Sequence, residues 1–376
     1  MKVFFQSIIS REAVNKKRQL EIDITRGLAV LFMILVHVSG EFLDTSSSST
    51  VFAKVVDFLG TIPAAPIFMF VMGVGFVYSK NQQPLKLFKR GLIVFCSGYV
   101  LNAVRGFIPF YIGTRLQYYS INLDGNAWYH YLIEVDILQF AGLAMIVVAL
   151  LKAIRLKEYF YPLIAIGAGV AAPFVWGIKT GYTIVDVFLA NIFGGTNYAF
   201  HPLFSWISYP LMGAFFGWLL IRCKSKNKFY LLTVLLSVIV AIPCLIYLFT
   251  HQSIDLGIVT GSSYNYFHHG LLSNLLFNSF IICWLAIWHL TATVLPEFIK
   301  NRLLFLSKGV TEIYFIHWII IGWCSFLLLD TYNIPKTIIL MILMVFLSDR
   351  TAHLYFNIRE RLAEPNETDI PAIPNN

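Results

Sequence analysis

The sequence predicts an all-α, polytopic integral membrane protein of about ten transmembrane helices with both termini cytoplasmic. Three observations predict it. Of the 376 residues 58% are apolar and only 13% are charged, about half the charged share of an ordinary soluble domain. Ten apolar segments are long enough, or nearly so, to cross a bilayer, which takes roughly 20 residues. The Lys and Arg residues fall mostly in alternate connections, the pattern that sets orientation in a membrane. The same composition excludes a disordered chain, a collagen-like repeat and a small disulfide scaffold. Two or three soluble domains would fit the length; one membrane domain fits the composition.

The segments run over about 25–43, 60–79, 88–105, 132–154, 158–178, 202–222, 229–250, 270–294, 310–330 and 336–356. Runs of this length without period-2 alternation are helices and not barrel strands. Residues 1–24 form a basic N-terminal segment with no short apolar core and small-residue cleavage site, so no cleaved signal is expected. The first segment carries Arg26, His37 and Glu41. The second leads into an inner turn with Lys80, Lys86, Lys89 and Arg90, from which the third departs. An outer loop rich in Tyr, Asn and Gly, 106–131, precedes the fourth segment, which opens on Glu134, Asp136 and Gln139. Lys152, Arg155 and Lys157 form the next inner turn. After the fifth segment an outer loop, 179–201, leads to His201, Ser205 and Trp206 at the start of the sixth. Arg222, Lys224, Lys226 and Lys228 join it to the seventh. The outer loop 251–269 carries His251, His268 and His269. The eighth segment and the inner Lys300, Arg302 and Lys308 lead to the ninth, which holds Glu312, Tyr314 and His317. Lys336 opens the tenth, where Asp349, Arg350 and His353 lie near its end. The tail 357–376 is Pro- and Asn-rich and is expected to be disordered.

Counted by side, the terminus side holds 22 Lys and Arg residues and the other side five, Lys54, Arg105, Arg115, Lys179 and Lys336. The positive-inside rule therefore puts both termini in the cytoplasm, and the plasma (inner) membrane is the expected location. The net charge of +8 is read as topology, and no nucleic-acid partner is expected. The five cysteines are scattered without CxxC or His/Cys ligand spacing, so neither a metal site nor a disulfide framework is expected. Tyr and Trp at the outer boundary are interfacial anchors by default, with a sugar-stacking platform as the alternative.

Ionisable groups within spans are costly and read as functional candidates. Arg26 and His37 are eleven residues apart, close to three helical turns, so they share a face about 16 Å apart. Glu41 and Asp44 continue that stripe. One helix face thus carries a cation at the inner rim, an imidazole midway and carboxylates toward the outside. That order suits a reaction between a cytosolic anionic donor and an outside acceptor. The plainer account makes Arg26 an anchor and His37 an interhelical hydrogen-bonding group. Asp349, Arg350 and His353 read most simply as an intramembrane salt bridge.

The stretch LEIDITRGLAVLFMILVHVSG resembles the first helix of the transmembrane acyltransferases. That group includes the acyltransferase-3 family, where an Arg followed after ten residues by His is the signature, here Arg26 and His37. It also includes the heparan-α-glucosaminide N-acetyltransferase-like family. PIFMFVMGVGFVYSK, KLFKRGLIVFCSGYVLN, IEVDILQFAGLAMIVV, HPLFSWISYPLMGAFFG and TEIYFIHWIII are similar, in order, to segments of the heparan-type branch. At one position the chain departs: that branch usually has Asn at the position of His37 and its catalytic His in the first outer loop, whereas this chain has no His between Ser39 and Tyr129.

The resemblance implies an integral-membrane O- or N-acyltransferase that moves an acetyl or other acyl group from cytosolic acetyl-coenzyme A to an extracytoplasmic glycan or similar acceptor. Deprotonating a hydroxyl or amine as it attacks a thioester calls for a base with a near-neutral pKa, which suits His37. His37 can act as base or as acyl carrier, with Glu41 or Asp44 orienting its ring. Arg26, Lys89 and Arg90, and Arg350 at the corresponding end of the last segment, are the candidate donor ligands. Asp136, Gln139, His201 and His317 are the candidate acceptor-side residues. The alternative function is a proton-coupled secondary transporter with His37, Glu41 and Asp136 as relay. Against it, no pair of Gly/Pro-broken helices recurs in matching halves.

Overall fold

A computed structural model describes residues 7–80, 82–116, 127–195, 198–250, 266–328 and 331–363. Among these the chain is helical, and its only extended pairings are three isolated bridges. Each of the ten expected segments finds a helix. The first is α1 (Leu20–Phe42), and the second is the pair α2 (Val51–Gly60) and α3 (Ala65–Tyr78). The third is α4 (Pro84–Asn102), continued through a π-helical turn, Ala103–Phe107, into α5 (Ile108–Arg115). After the short α6 (Ala127–Ile133) come α7 (Ile137–Ala153), α8 (Tyr161–Val175) and α9 (Thr183–Phe193). The short α10 (Leu203–Trp206) runs into α11 (Ser208–Leu220), followed by α12 (Lys226–Thr250) and α13 (Leu271–Thr291). The chain finishes with α14 (Glu297–Lys308), α15 (Val310–Leu328) and α16 (Ile334–Ala363).

Eight of these spans are long and apolar enough to cross a membrane, and nine if α14 and α15, which meet at an 84° bend, form one broken span. The ninth expected segment counts only as part of that bent pair, and the fourth falls just short in length. Its helix α7 has only 17 residues, at the lower end of the spanning range, because Val135 and Asp136 are extended and Asp136 caps the helix.

Two loop expectations are corrected. The segment 106–131 begins as helix: α5 continues directly from the π-helical turn, with Pro109 in its first turn. Within 179–201, α9 forms and is ended by Gly194 at φ 69, a left-handed cap that glycine adopts without Cβ strain. Residues 251–265, with His251, and the tail beyond 363 lie outside the described residues.

Two apolar clusters build the bundle. One draws mainly on α3, α7, α8, α11 and α13, the other on α1, α14, α15 and α16. The first is held by a close crossing of α3 and α11: a Cβ on Gly73 would stand 2.1 Å from the Pro210 carbonyl oxygen, and one on Gly213 1.9 Å from that of Phe70. In the second, α1 packs against α14, α15 and α16 while also touching α2, α3 and α13. Phe174 and Ile184, 84% and 86% exposed, are acceptable only because the bundle's outer surface meets lipid. Met33, Phe68 and Trp318 pack against both clusters and mark a seam between them. The ionisable residues gather at that seam.

Candidate active site

At the seam α1 presents His37 to His317 of α15. His37 Nδ1 and His317 Nε2 are 2.9 Å apart, with the rings 8° from parallel and their centroids 5.2 Å apart. His317 Nδ1 lies 2.9 Å from the carbonyl oxygen of Ile313. A carbonyl only accepts, so His317 carries its proton on Nδ1 and offers a lone pair at Nε2. His37 must then donate from Nδ1, which leaves His37 Nε2 unprotonated. The tautomer of His37 thus follows from one helical carbonyl. Trp318 closes over the ring at 4.2 Å between centroids.

A buried charge cluster lies beside this pair. Asp136 Oδ2 is 3.1 Å from Arg105 Nη2 and accepts from the Tyr314 hydroxyl at 2.8 Å. Its Oδ1 is 3.5 Å from His201 Nδ1. Arg105 also reaches Glu134 at 3.2 Å, and its guanidinium stacks 4.0 Å over the Trp318 ring. The local sequence explains how these groups converge. Asp136 and Gln139 form a capping box at the start of α7: Asp136 Oδ1 accepts from the Ile137 N–H, and Gln139 Oε1 accepts from the Asp136 N–H. The cap fixes Asp136 at the head of a helix. Arg105 sits in the π-helical turn, which admits one extra residue and turns the side chain inward. Gly322 of α15 allows that turn to pack, since a Cβ there would stand 1.9 Å from the Arg105 carbonyl oxygen.

Two cavities meet at the cluster. The larger, about 500 Å³, is lined by five cations: Arg26, Lys86, Arg90, Lys152 and Lys308. Among the described residues no carboxylate lines it, and its volume falls within the usual range for small-molecule sites. Arg26 is tied to Asp23 at 2.5 Å and donates to Ser307 Oγ at 2.8 Å; Arg18 also pairs with Asp23. Lys152 donates to Gln82 at 2.5 Å. Among the described residues Lys86, Arg90 and Lys308 have no carboxylate partner. All five cations belong to the terminus-side set of the sequence. The smaller cavity, about 50 Å³, is lined by His37, Asp136 and His201 together with Met33, Phe68, Ile137 and Tyr314. Phe68, Ile137 and Tyr314 line both.

The structure brings together His37, His317, Asp136 and His201, and sets Arg26 and Arg90 in the cation-lined cavity. Other candidates lie elsewhere. Glu41 Oε2 accepts from Ser325 Oγ at 3.1 Å, and Asp44 caps the turn Thr45–Ser47. Hydrogen bonds from Ser46 and Ser47 hold the Asp44 carboxyl below the usual carboxylate range. The carboxylate that shares a cavity with His37 is Asp136. Gln139 spends its amide on the backbone, donating to Glu134 O at 3.1 Å, and so shapes the site from behind. Lys89 is exposed and off the lining, because α4 turns Lys86, Arg90 and Val94, spaced by four, toward the cavity. Asp349 pairs with Arg302 of α14 and not with Arg350, whose guanidinium lies 5.2 Å over Phe346.

Arg105, Tyr314, Lys152 and Lys308 were not among the site candidates. Tyr314 shares a helix face with His317, and that signal was readable. Arg105, at the outer end of its segment, counted only as one of five outer cations.

A family model described as "Heparan-alpha-glucosaminide N-acetyltransferase, catalytic" matches residues 18–253. No curated protein matches the chain by sequence.

Proposed function

The chain belongs to the heparan-α-glucosaminide N-acetyltransferase catalytic family, a family of membrane acetyltransferases, and on that premise we propose that it moves an acetyl group from acetyl-coenzyme A to a hydroxyl or amine of a glycan-like acceptor, with His37 as the general base. The observation that carries the reading is the His37–His317 pair beside the wall that separates a cation-lined cavity from a small, mostly apolar one that holds His37, Asp136 and His201.

The donor's phosphates suit the larger cavity. Lys86, Arg90 and Lys308 are free of carboxylates there, and Arg26 is held in place by Asp23 and Ser307. Phosphate oxygens take charge-assisted hydrogen bonds from such groups. We assign this mouth to the cytoplasm, in keeping with the excess of Lys and Arg on that side. The thioester then reaches the wall of Phe68, Ile137 and Tyr314, and the acceptor comes from the opposite side toward His37, Asp136 and His201.

The chemistry follows from the tautomer. The acceptor O–H or N–H donates to His37 Nε2. As the heteroatom attacks the thioester carbonyl, His37 takes its proton, the new C–O or C–N bond forms and the C–S bond breaks. His37 then returns the proton to the departing sulfur. Its Nδ1–H stays on His317 throughout, which fixes the ring plane. The imidazolium that forms in between is met by the negative charge of Asp136. General-base assistance of this kind contributes about 10²–10⁴ in rate.

The test uses purified protein in detergent with radiolabelled acetyl-coenzyme A and D-glucosamine as the probe acceptor. The wild type is expected to form labelled N-acetylglucosamine and free thiol, and His37→Ala to lose at least about 10² of that rate. A His37→Ala variant with the wild-type rate would sink the proposal. A proton-coupled transporter would leave the thioester intact.

A further inference from the structure

The two cavities are separated by one layer of side chains, and its three members are not equally fixed. Ile137 is the first residue of α7, directly after the capping box that pins Asp136 and Gln139. Tyr314 is buried and tied through its hydroxyl to Asp136 at 2.8 Å. Phe68 has no polar anchor. It is half-buried on α3, packs against both apolar clusters and lines both cavities. Its size can change without breaking any bond of the charge cluster.

The space beyond the layer is small. A cavity of about 50 Å³ corresponds to on the order of three or four water-sized spheres. A two-carbon acyl group and the attacking heteroatom of an acceptor fill that volume beside His37. Further methylenes on the acyl chain have to find room among the lining side chains, Phe68 of α3 and Met33 of α1 among them. A donor with a longer chain must therefore displace packed side chains, or leave its carbonyl short of His37.

We propose that Phe68 is the specificity-determining residue for acyl-chain length, admitting an acetyl group to His37 and holding longer chains back. The inference rests on the acetyltransferase reading above and adds to it which side chain selects the acyl chain. A methylene too many in an apolar site costs about 10–200-fold in specificity. Phe68 is thus expected to set a steep decline over two added carbons.

The experiment measures kcat/KM by thiol release with acetyl-, propionyl- and butyryl-coenzyme A, with D-glucosamine as probe acceptor, for the wild type, Phe68→Ala and Phe68→Trp. The wild type is expected to use butyryl at least about a hundredfold less well than acetyl, from roughly tenfold per methylene. Phe68→Ala is expected to narrow that ratio by about tenfold or more, and Phe68→Trp to lower propionyl relative to acetyl. Equal use of all three donors by the wild type, or ratios unmoved in both variants, overturns the inference and leaves the acetyltransferase intact. A wild type that releases no thiol from any donor is a different outcome: the function fails first, and the inference with it. If Phe68→Ala does not purify as a single species, the larger side chain of Phe68→Trp decides by its own ratio.

Discussion

His37 Nδ1 stands 2.9 Å from His317 Nε2, and the other nitrogen of His317 is tied to the Ile313 carbonyl at 2.9 Å. The proton between the rings therefore belongs to His37, and its Nε2 is left as a base. In the proposed mechanism His317 acts through His37 and does not itself touch the reacting atoms. His317→Ala should lower kcat by about 10–100-fold with a small change in KM for acetyl-coenzyme A, because the donor is held elsewhere. His317→Gln, whose carbonyl oxygen can accept from His37 Nδ1, should recover part of the loss. The rate of the wild type should fall as pH falls, since a protonated imidazole accepts no proton. A steady-state pH profile of the three proteins checks all of this; a KM effect without a kcat effect would assign His317 to binding.

Among the described residues Arg105 is the one Lys or Arg set against Asp136 and Glu134, at 3.1 Å and 3.2 Å. Its removal leaves two carboxylates in a buried site. Arg105→Ala should cost about 3–5 kcal/mol of stability, read as a lower unfolding temperature in detergent. Arg105→Lys should rescue it only in part, because an ammonium neither stacks on Trp318 as a plane nor reaches two carboxylates as a fork.

The close approach of α15 to the π-helical turn sets a limit on residue 322. Gly322→Ala brings a Cβ within 1.9 Å of the Arg105 carbonyl oxygen, so the turn has to move. A loss of about 1–3 kcal/mol is expected, together with activity, because Arg105 moves with the turn. Gly167→Ala in α8 meets nothing within 4 Å and should stabilise by about 0.5–1 kcal/mol. Thermal unfolding of the two variants, side by side, tests whether the packing or the helix propensity decides.

The donor cavity predicts a pattern along a single helix. Arg90→Gln and Lys86→Gln should each raise KM for acetyl-coenzyme A about 5–10-fold, as expected for losing a charge-assisted bond of roughly 1–1.4 kcal/mol. Lys89→Gln, on an exposed face off the lining, should change it less than about twofold, since surface charges are well screened. Equal effects at all three positions would point to a diffuse surface field in place of a site.

What the sequence revealed and what it hid divide along chain distance. The stripe on α1 was readable because Arg26 and His37 share one helix, where spacing alone decides the face. Tyr314 and His317 were readable for the same reason. Asp136 and Gln139 stood out as polar residues on one helix face and suggested acceptor ligands; the capping box that aims Asp136 came only with the structure. By contrast the stripe suggested Glu41 and Asp44 as partners of His37, but Glu41 bonds Ser325 and Asp44 bonds its own turn. Partners from distant helices won over neighbours on the same one. Arg105 was hidden for a further reason: no local pattern distinguishes a π-helical turn from the end of a crossing, so an inward cation looked like a loop charge.

The pairing of His37 with His317 joins residues 280 positions apart. A chain entering the membrane in order of synthesis delivers His37 with the first helix and its partner with the last but one crossing. Ser307 and Lys308 of the donor cavity, and Tyr314 of the wall, arrive equally late. Until those residues are in place, neither the imidazole pair nor the cavity around it is complete. Docking of α14 to α16 against α1 is what completes both the imidazole pair and the cation-lined cavity.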